Sequence, residues 1–123
     1  MRVMWIGLAG AFGAIARYGL DGWIARARPG AFPWGTLAVN LAGSFALGVV
    51  FALTTERFIV NPTVRAAVMI GFLGAFTTFS TFSLETMRLL EDGAVGIALT
   101  NISASVGAAL AAVYAGTWLG RAL

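Results

Sequence analysis

Long apolar runs broken by short polar punctuation set the pattern of this chain. The first extends from about Val3 to Leu20 and continues more weakly through Trp23 to Ala27, where Arg28-Pro29-Gly30 stops it. Proline next to glycine makes a turn rather than more helix. A second run begins near Pro33-Trp34-Gly35, stays apolar to about Leu53 and ends at Glu56-Arg57. Asn61-Pro62-Thr63 then reads as a helix start, with Asn61 or Thr63 as the cap, and a third run continues from Val64 to about Leu90. Glu91-Asp92-Gly93 separates it from a fourth, Ala94 to Leu119, and the two acids are expected to cap or punctuate that last helix. Each run is near the ~20 residues that cross a hydrocarbon layer. The pattern predicts one transmembrane domain over residues 1–123, with helices at about 3–27, 33–55, 63–90 and 94–119.

Two of the runs carry a finer pattern. The middle of the third reads GFLGAFTTFSTFS, from Gly71 to Ser83, and glycines followed by hydroxyl residues and phenylalanines are poor material for an unbroken helix. A break is expected there, and at membrane depth the freed backbone groups need protein or a water-filled cavity to satisfy them. The fourth run places Ala104, Ala108, Ala112, Gly116 and Gly120 at steps of four. Such a stripe lets a neighbouring helix approach closely, and packing is what holds helices together in lipid; the plainer alternative is that alanine is common in membrane helices. Four short helices rich in Gly and Ala have too little bulk to enclose a private conduit, so a two-fold dimer is expected.

Composition moves the setting from water to lipid. Hydrophobic residues make up 59% of the 123, mean hydropathy is +0.88 and only 11% are charged, whereas a soluble domain carries a charged surface. The expected location is the cell's inner (plasma) membrane, crossed several times. The first run carries Arg17 and Tyr18 near its end and lacks a small-residue cleavage site, so it reads as a structural helix rather than a leader. With no Cys and no His, thiol nucleophiles, disulfides, zinc sites and imidazole bases are closed off. No nucleophile stands beside a base in the apolar runs, and the chain is expected not to be an enzyme.

Charge adds a statement about orientation. The net charge of +3 comes from eight basic residues, all of them Arg, against five acids. They form no basic stripe interleaved with aromatics, so nucleic acid is not an expected partner. Four crossings put both termini on one side, which then holds Arg2, Arg57, Arg65 and Arg121, against Arg26, Arg28 and Arg88 on the other, with Arg17 nearer the membrane. The excess of Lys and Arg in short loops is what fixes orientation. Near balance predicts insertion both ways, and oppositely inserted copies would pair about an axis in the membrane plane, as inverted repeats do in larger transporters.

Polar residues inside the apolar runs are the candidate chemistry. Thr36, Asn40 and Ser44 stand four apart, on one helix face. The amide of Asn40 needs partners at that depth: its NH2 either donates to an anion or bonds a neighbouring helix. Thr77, Thr78, Ser80, Thr81 and Ser83 supply hydroxyls, with Phe79 and Phe82 three apart among them. Neutral donors and the electropositive edges of rings suit a small desolvated anion, which a fixed cation would hold too tightly to release. The bland alternative is that Ser and Thr bond their own helix backbone and the rings are filler. Thr100, Asn101, Ser103 and Ser105 form a further polar group in the fourth run. Arg17 either snorkels or gathers ions at a vestibule, and Glu85 is the sole titratable candidate near the path.

Four stretches, GAFGAIARY (Gly10 to Tyr18), WGTLAVNLAGSFALG (Trp34 to Gly48), GFLGAFTTFSTFSLE (Gly71 to Glu85) and NISASVGAALAA (Asn101 to Ala112), carry a resemblance over almost the whole chain. In them the sequence resembles the small bacterial fluoride channels, also called fluoride ion transporters of the camphor-resistance type. The resemblance implies an all-α membrane fold of four transmembrane helices and an antiparallel, dual-topology homodimer. Two anion pathways would run along the subunit interface. By the same resemblance Asn40 is the pore asparagine, Phe79 and Phe82 turn ring edges to the anion, Ser80, Thr81 and Ser83 continue a hydroxyl track to one mouth, and Ser105 adds a donor from the fourth helix. Arg17 matches the vestibule arginine. Backbone carbonyls of Gly74 and Thr77 would hold a structural sodium ion (Na+) shared by both subunits at the dimer centre. The implied function is a fluoride-selective ion channel for passive export of cytoplasmic fluoride down its electrochemical gradient.

Two rivals come from other classes. A small four-helix exporter would need an acid embedded in the membrane to couple protons to a cationic substrate, and no Asp or Glu sits at the centre of a run. A structural membrane protein would use the polar residues only as interhelical glue, a role that gives no reason to break the third helix.

Overall fold

A computed structural model describes residues 1–123 as helices joined by short turns, without strands. Helix α1 is Arg2–Ala27 and α2 is Trp34–Ala52, continued by a wider π-type turn at Leu53–Arg57. The third span has two arms. Its first, α3, joins Pro62–Ala66, a π-type stretch at Ala67–Leu73 and Gly74–Phe76, and its second, α4, is Phe79–Glu91. Helix α5 is Val95–Ala122. Together they make four spans long and apolar enough to cross a membrane, the third interrupted within the Gly71–Ser83 stretch.

The ends of these helices follow local chemistry. Asn61 caps α3, its Oδ1 accepting from the Thr63 N–H at 2.8 Å, with Pro62 set in the first turn. After α1, Gly30 takes φ 138° to reverse the chain, and the Arg28 guanidinium lies 4.4 Å from the centre of the Trp34 ring. The acids before Gly93 punctuate the chain ahead of α5 but do not cap it: Ala94 holds the cap position with no side-chain bond. Gly93 at φ 78° instead closes α4, its N–H donating to the Leu90 carbonyl and that of Ala94 to Leu89. This Schellman turn makes Glu91 and Asp92 the end of one helix rather than the start of the next.

Glycine brings two pairs of helices to backbone contact. Helix α1 meets α3 where Gly13 lies on the Phe72 carbonyl and Gly71 on the Ile6 carbonyl. Helix α2 meets α5 where Gly48 faces Val113 and Thr117, Gly116 faces the Phe45 carbonyl, and Gly120 faces Val49 and Ala52. The small-residue stripe of the fourth span is therefore used for close approach at its C-terminal half. Val39, Ala52, Leu73, Phe76, Phe82, Leu89 and Ala98 are buried between the helices. Trp5, Phe12, Ile15, Ile70, Leu110 and Trp118 are all exposed, an exterior suited to lipid or to another apolar surface.

Apart from Arg17, charged side chains collect at the two ends of the spans. At one end Arg121 grips Glu56 through two bonds of 2.7 and 2.9 Å, while Arg65 donates to Thr54 and Thr55 on the π-type turn. At the other, Asp21, Arg28, Glu85, Arg88 and Asp92 border one shallow cleft.

Candidate functional site

When the third span leaves its helical path at Thr77 (ψ 158°) and Thr78 (φ −150°, ψ 121°), backbone groups on both sides lose their partners. In lipid they must find others within the protein. Asn40 of α2 takes two of them: its Nδ2 donates to the Thr78 carbonyl at 2.9 Å, and its Oδ1 accepts from the Thr78 N–H at 2.8 Å. One side-chain amide thus pairs with one extended residue as a neighbouring strand would. Thr78 in turn caps α4, its Oγ1 accepting from the Thr81 N–H at 3.2 Å. Arg17 of α1 donates from Nε to the Ala75 carbonyl at 3.1 Å. In an unbroken helix the amides of Thr78 and Thr81 would close on the carbonyls of Gly74 and Thr77; both amides bond elsewhere.

Beside the break lies an open-sided cavity of about 310 Å³. Its polar lining is Asn40, Ser44, Thr77, Thr78 and Ser105, and its apolar lining is Phe79, Phe82, Val106, Ala109 and Leu110, with no charged side chain among them. The two rings are 5.6 Å apart between centres and tilted by 46°, so edges as well as faces reach the space between them. Phe82 is 8% exposed and fixed in the core, while Phe79 is 76% exposed and projects outward. The second Nδ2 proton of Asn40 has no acceptor within the chain, since the only bond from that nitrogen goes to Thr78. The cavity therefore offers neutral donors and ring edges, with the electrostatic character that tolerates a negative ion without trapping it.

The residues expected from the sequence fall into two groups. Asn40, Thr77, Phe79, Phe82 and Ser105 meet at the cavity. Ser80, Thr81, Ser83, Arg17 and Gly74 lie outside its lining. Ser83 donates to the Phe79 carbonyl at 2.9 Å, Thr77 to the Leu73 carbonyl at 3.0 Å, and Thr81 accepts from Thr78 at 3.0 Å. Thr100 likewise bonds its own helix at Gly96, whereas Asn101 and Ser105 turn inward and are buried. Thr36 is buried with no partner for its hydroxyl, as is one oxygen of Glu85.

Three contributors carried no assigned role in the sequence reading. Ser44 was visible on the Asn40 face, one turn on. The backbone of Thr78 had no signal of its own, because its pairing depends on a residue 38 positions away. Thr86, which bonds Asn101 at 2.9 Å, stands one helical turn after Phe82, and that spacing was its only mark.

Four apolar crossings, one broken beside an uncharged cavity with a polar lining, define an integral multi-pass membrane protein. The chain belongs to the family described as CrcB-like protein, Camphor Resistance (CrcB), which it matches over residues 4–117. It is 48% identical to the fluoride-specific ion channel FluC of Magnetococcus marinus, over 98% of each chain. It is 47% identical to the protein of that name from Citrifermentans bemidjiense, over 99% of this chain and 98% of the relative, and 48% identical to that of Geotalea daltonii, over 98% and 94%.

Proposed function

We propose that this chain is one subunit of a homodimeric, fluoride-selective channel of the inner (plasma) membrane that lets cytoplasmic fluoride leave passively. The carrying observation is the cavity at the helix break, where Asn40, Ser105, Phe79 and Phe82 converge without a charged side chain. Relatives of nearly the same length bear the name of a fluoride-specific ion channel rather than of an enzyme. Hydrogen fluoride crosses lipid as a neutral acid and dissociates in the less acidic cytoplasm; an open leak lets the membrane potential drive the trapped ion out. No coupled proton is required, which suits an apolar route without a titratable relay.

In this reading the free amide proton of Asn40 and the edges of Phe79 and Phe82 replace part of the water shell of the ion. Arg17 raises the local anion concentration at a vestibule, and Ser80, Thr81 and Ser83 line the way onward along α4. Because the cavity is open on one side and Phe79 projects from it, a second copy, inserted the opposite way, completes the wall. The closely matched numbers of arginines at the two ends of the spans support such dual insertion. The carbonyls of Gly74 and Thr77, deprived of their helical donors, fit a hard cation such as sodium, which prefers carbonyl oxygens. Held there between two copies, the ion would fix the geometry of both breaks.

The test is flux. Purified protein in vesicles loaded with potassium fluoride, or with potassium chloride, is given a potassium ionophore so that potassium leaves with the anion and the voltage is clamped, and anion release is followed with an ion electrode. Rapid fluoride release with negligible chloride release is expected. Absence of fluoride release from correctly folded protein would sink the proposal.

A further inference from the structure

Ser105 reaches the cavity at one end of a hydrogen-bond chain that runs between α4 and α5. Its Oγ donates to Asn101 Oδ1 at 3.1 Å, Asn101 Nδ2 donates to Thr86 Oγ1 at 2.9 Å, and Thr86 Oγ1 donates to the Phe82 carbonyl at 2.8 Å. All three side chains are buried, Asn101 at 1% exposure, so water does not compete for these groups.

The direction of every proton in this chain follows from its last member. A carbonyl only accepts, so Thr86 gives its single hydroxyl proton to Phe82 and must accept from Asn101. That fixes which end of the Asn101 amide faces Thr86. The other end, Oδ1, faces Ser105 and can only accept. The sole hydroxyl proton of Ser105 is therefore directed away from the cavity, although its side chain borders the space where an anion would sit. What Ser105 has left to turn to the cavity is a pair of lone pairs, which repel an anion.

We propose that Asn101 is a positioning residue that holds the Ser105 proton in reserve, withholding one donor from the anion and thereby keeping fluoride from binding too tightly. The inference rests on the channel reading of the cavity. For the ion to gain that donor, Ser105 must leave Asn101 Oδ1 without a partner in a buried place, a penalty that offsets most of the new bond. Passage is fast because the donor is available only at that cost.

Three variants test this in vesicles, with the concentration of fluoride giving half-maximal flux as the readout. Asn101→Leu removes the acceptor and releases the proton towards the cavity. Thr86→Val removes the anchor, so nothing holds Asn101 Oδ1 towards Ser105; the amide is free to turn its Nδ2 there instead, which releases the Ser105 proton. Each is expected to lower the half-maximal concentration by about tenfold, the worth of one hydrogen bond to a charged partner. Thr86→Ser, which keeps the hydroxyl, should restore the unmodified value, a rescue that loose packing alone would not give. Adding Ser105→Ala to Thr86→Val should cancel the gain. If Asn101→Leu does not assemble, the Thr86 pair decides alone. Normal fluoride flux in the unmodified protein with an unchanged half-maximal concentration in Thr86→Val would overturn the relay and spare the channel. No fluoride flux in the unmodified protein would overturn both.

Discussion

Asn40 and Phe79 stand side by side at the cavity yet are held in opposite ways, and mutations at them separate structure from transport. Asn40 satisfies both backbone groups of Thr78. Asn40→Ala leaves an amide and a carbonyl unpaired inside the membrane, and a loss of about 2–4 kcal/mol is expected from two such bonds, read as a lowered midpoint in thermal unfolding in detergent. Phe79 is 76% exposed on its own subunit, and Phe79→Ile, an apolar replacement, should move that midpoint by less than about 1.5 kcal/mol even where a partner copy covers it. Its fluoride flux in vesicles should nevertheless fall about tenfold, equivalent to ~1.4 kcal/mol of lost ion stabilisation. Unchanged flux would show the ring to be filler. At this scale the sequence displayed the right residue types but not their bonds. The hydroxyls of Thr77 and Ser83 turned to their own helix, as Ser and Thr often do, while Asn101 and Ser105, two of several polar residues on α5, turned inward because Thr86 faces them.

Elements were legible wherever local chemistry decides them. The apolar run lengths, the Asn61-Pro62 start and the weak helix around Gly71 to Ser83 all express themselves within a few residues. The position of the break, at Thr77 and Thr78, is set instead by Asn40 from another helix. The π-type turns at Leu53–Arg57 and Ala67–Leu73 left no pattern in the sequence, because one extra residue in a turn barely disturbs apolar periodicity. Glycine roles were half legible: the stripe on α5 was visible, but which of its members touch backbone was not. That distinction carries a prediction of opposite signs. A Cβ at Gly116 would strike the Phe45 carbonyl, backbone that cannot rotate aside, whereas one at Gly19 meets nothing within 4 Å. Gly116→Ala should therefore destabilise by about 1–3 kcal/mol through overpacking, and Gly19→Ala should stabilise by about 0.5–1 kcal/mol through helix propensity. Unfolding midpoints of the two variants in one detergent make the comparison, and equal shifts would remove the close-approach account of the α2–α5 seam.

For the whole molecule, the proposed function depends on copies that insert in opposite senses, a proposal that rests on a cavity left open on one side with Phe79 projecting from it. Orientation is governed by Arg and Lys near the ends of the spans, and the two ends here are closely matched, with Arg2, Arg57, Arg65 and Arg121 against Arg26, Arg28 and Arg88. Small additions of charge should therefore tip the balance. Ala31→Lys, Phe32→Lys and Ala94→Lys together add three positive charges in the loops at the end holding Arg28 and Arg88, making six against four. Phe58→Lys with Ile59→Lys adds two at the opposite end, on exposed residues that make no part of the cavity. Each variant expressed alone should place its C-terminal reporter on a single face, the two choosing opposite faces, and should fail to protect cells against fluoride. Expressed together they supply both orientations, and protection should return. Balance is what makes the result informative: a parallel dimer or a working single subunit would tolerate either variant alone, so full protection by a variant whose reporters all lie on one face would overturn the antiparallel pair while leaving the cavity and its chemistry in place.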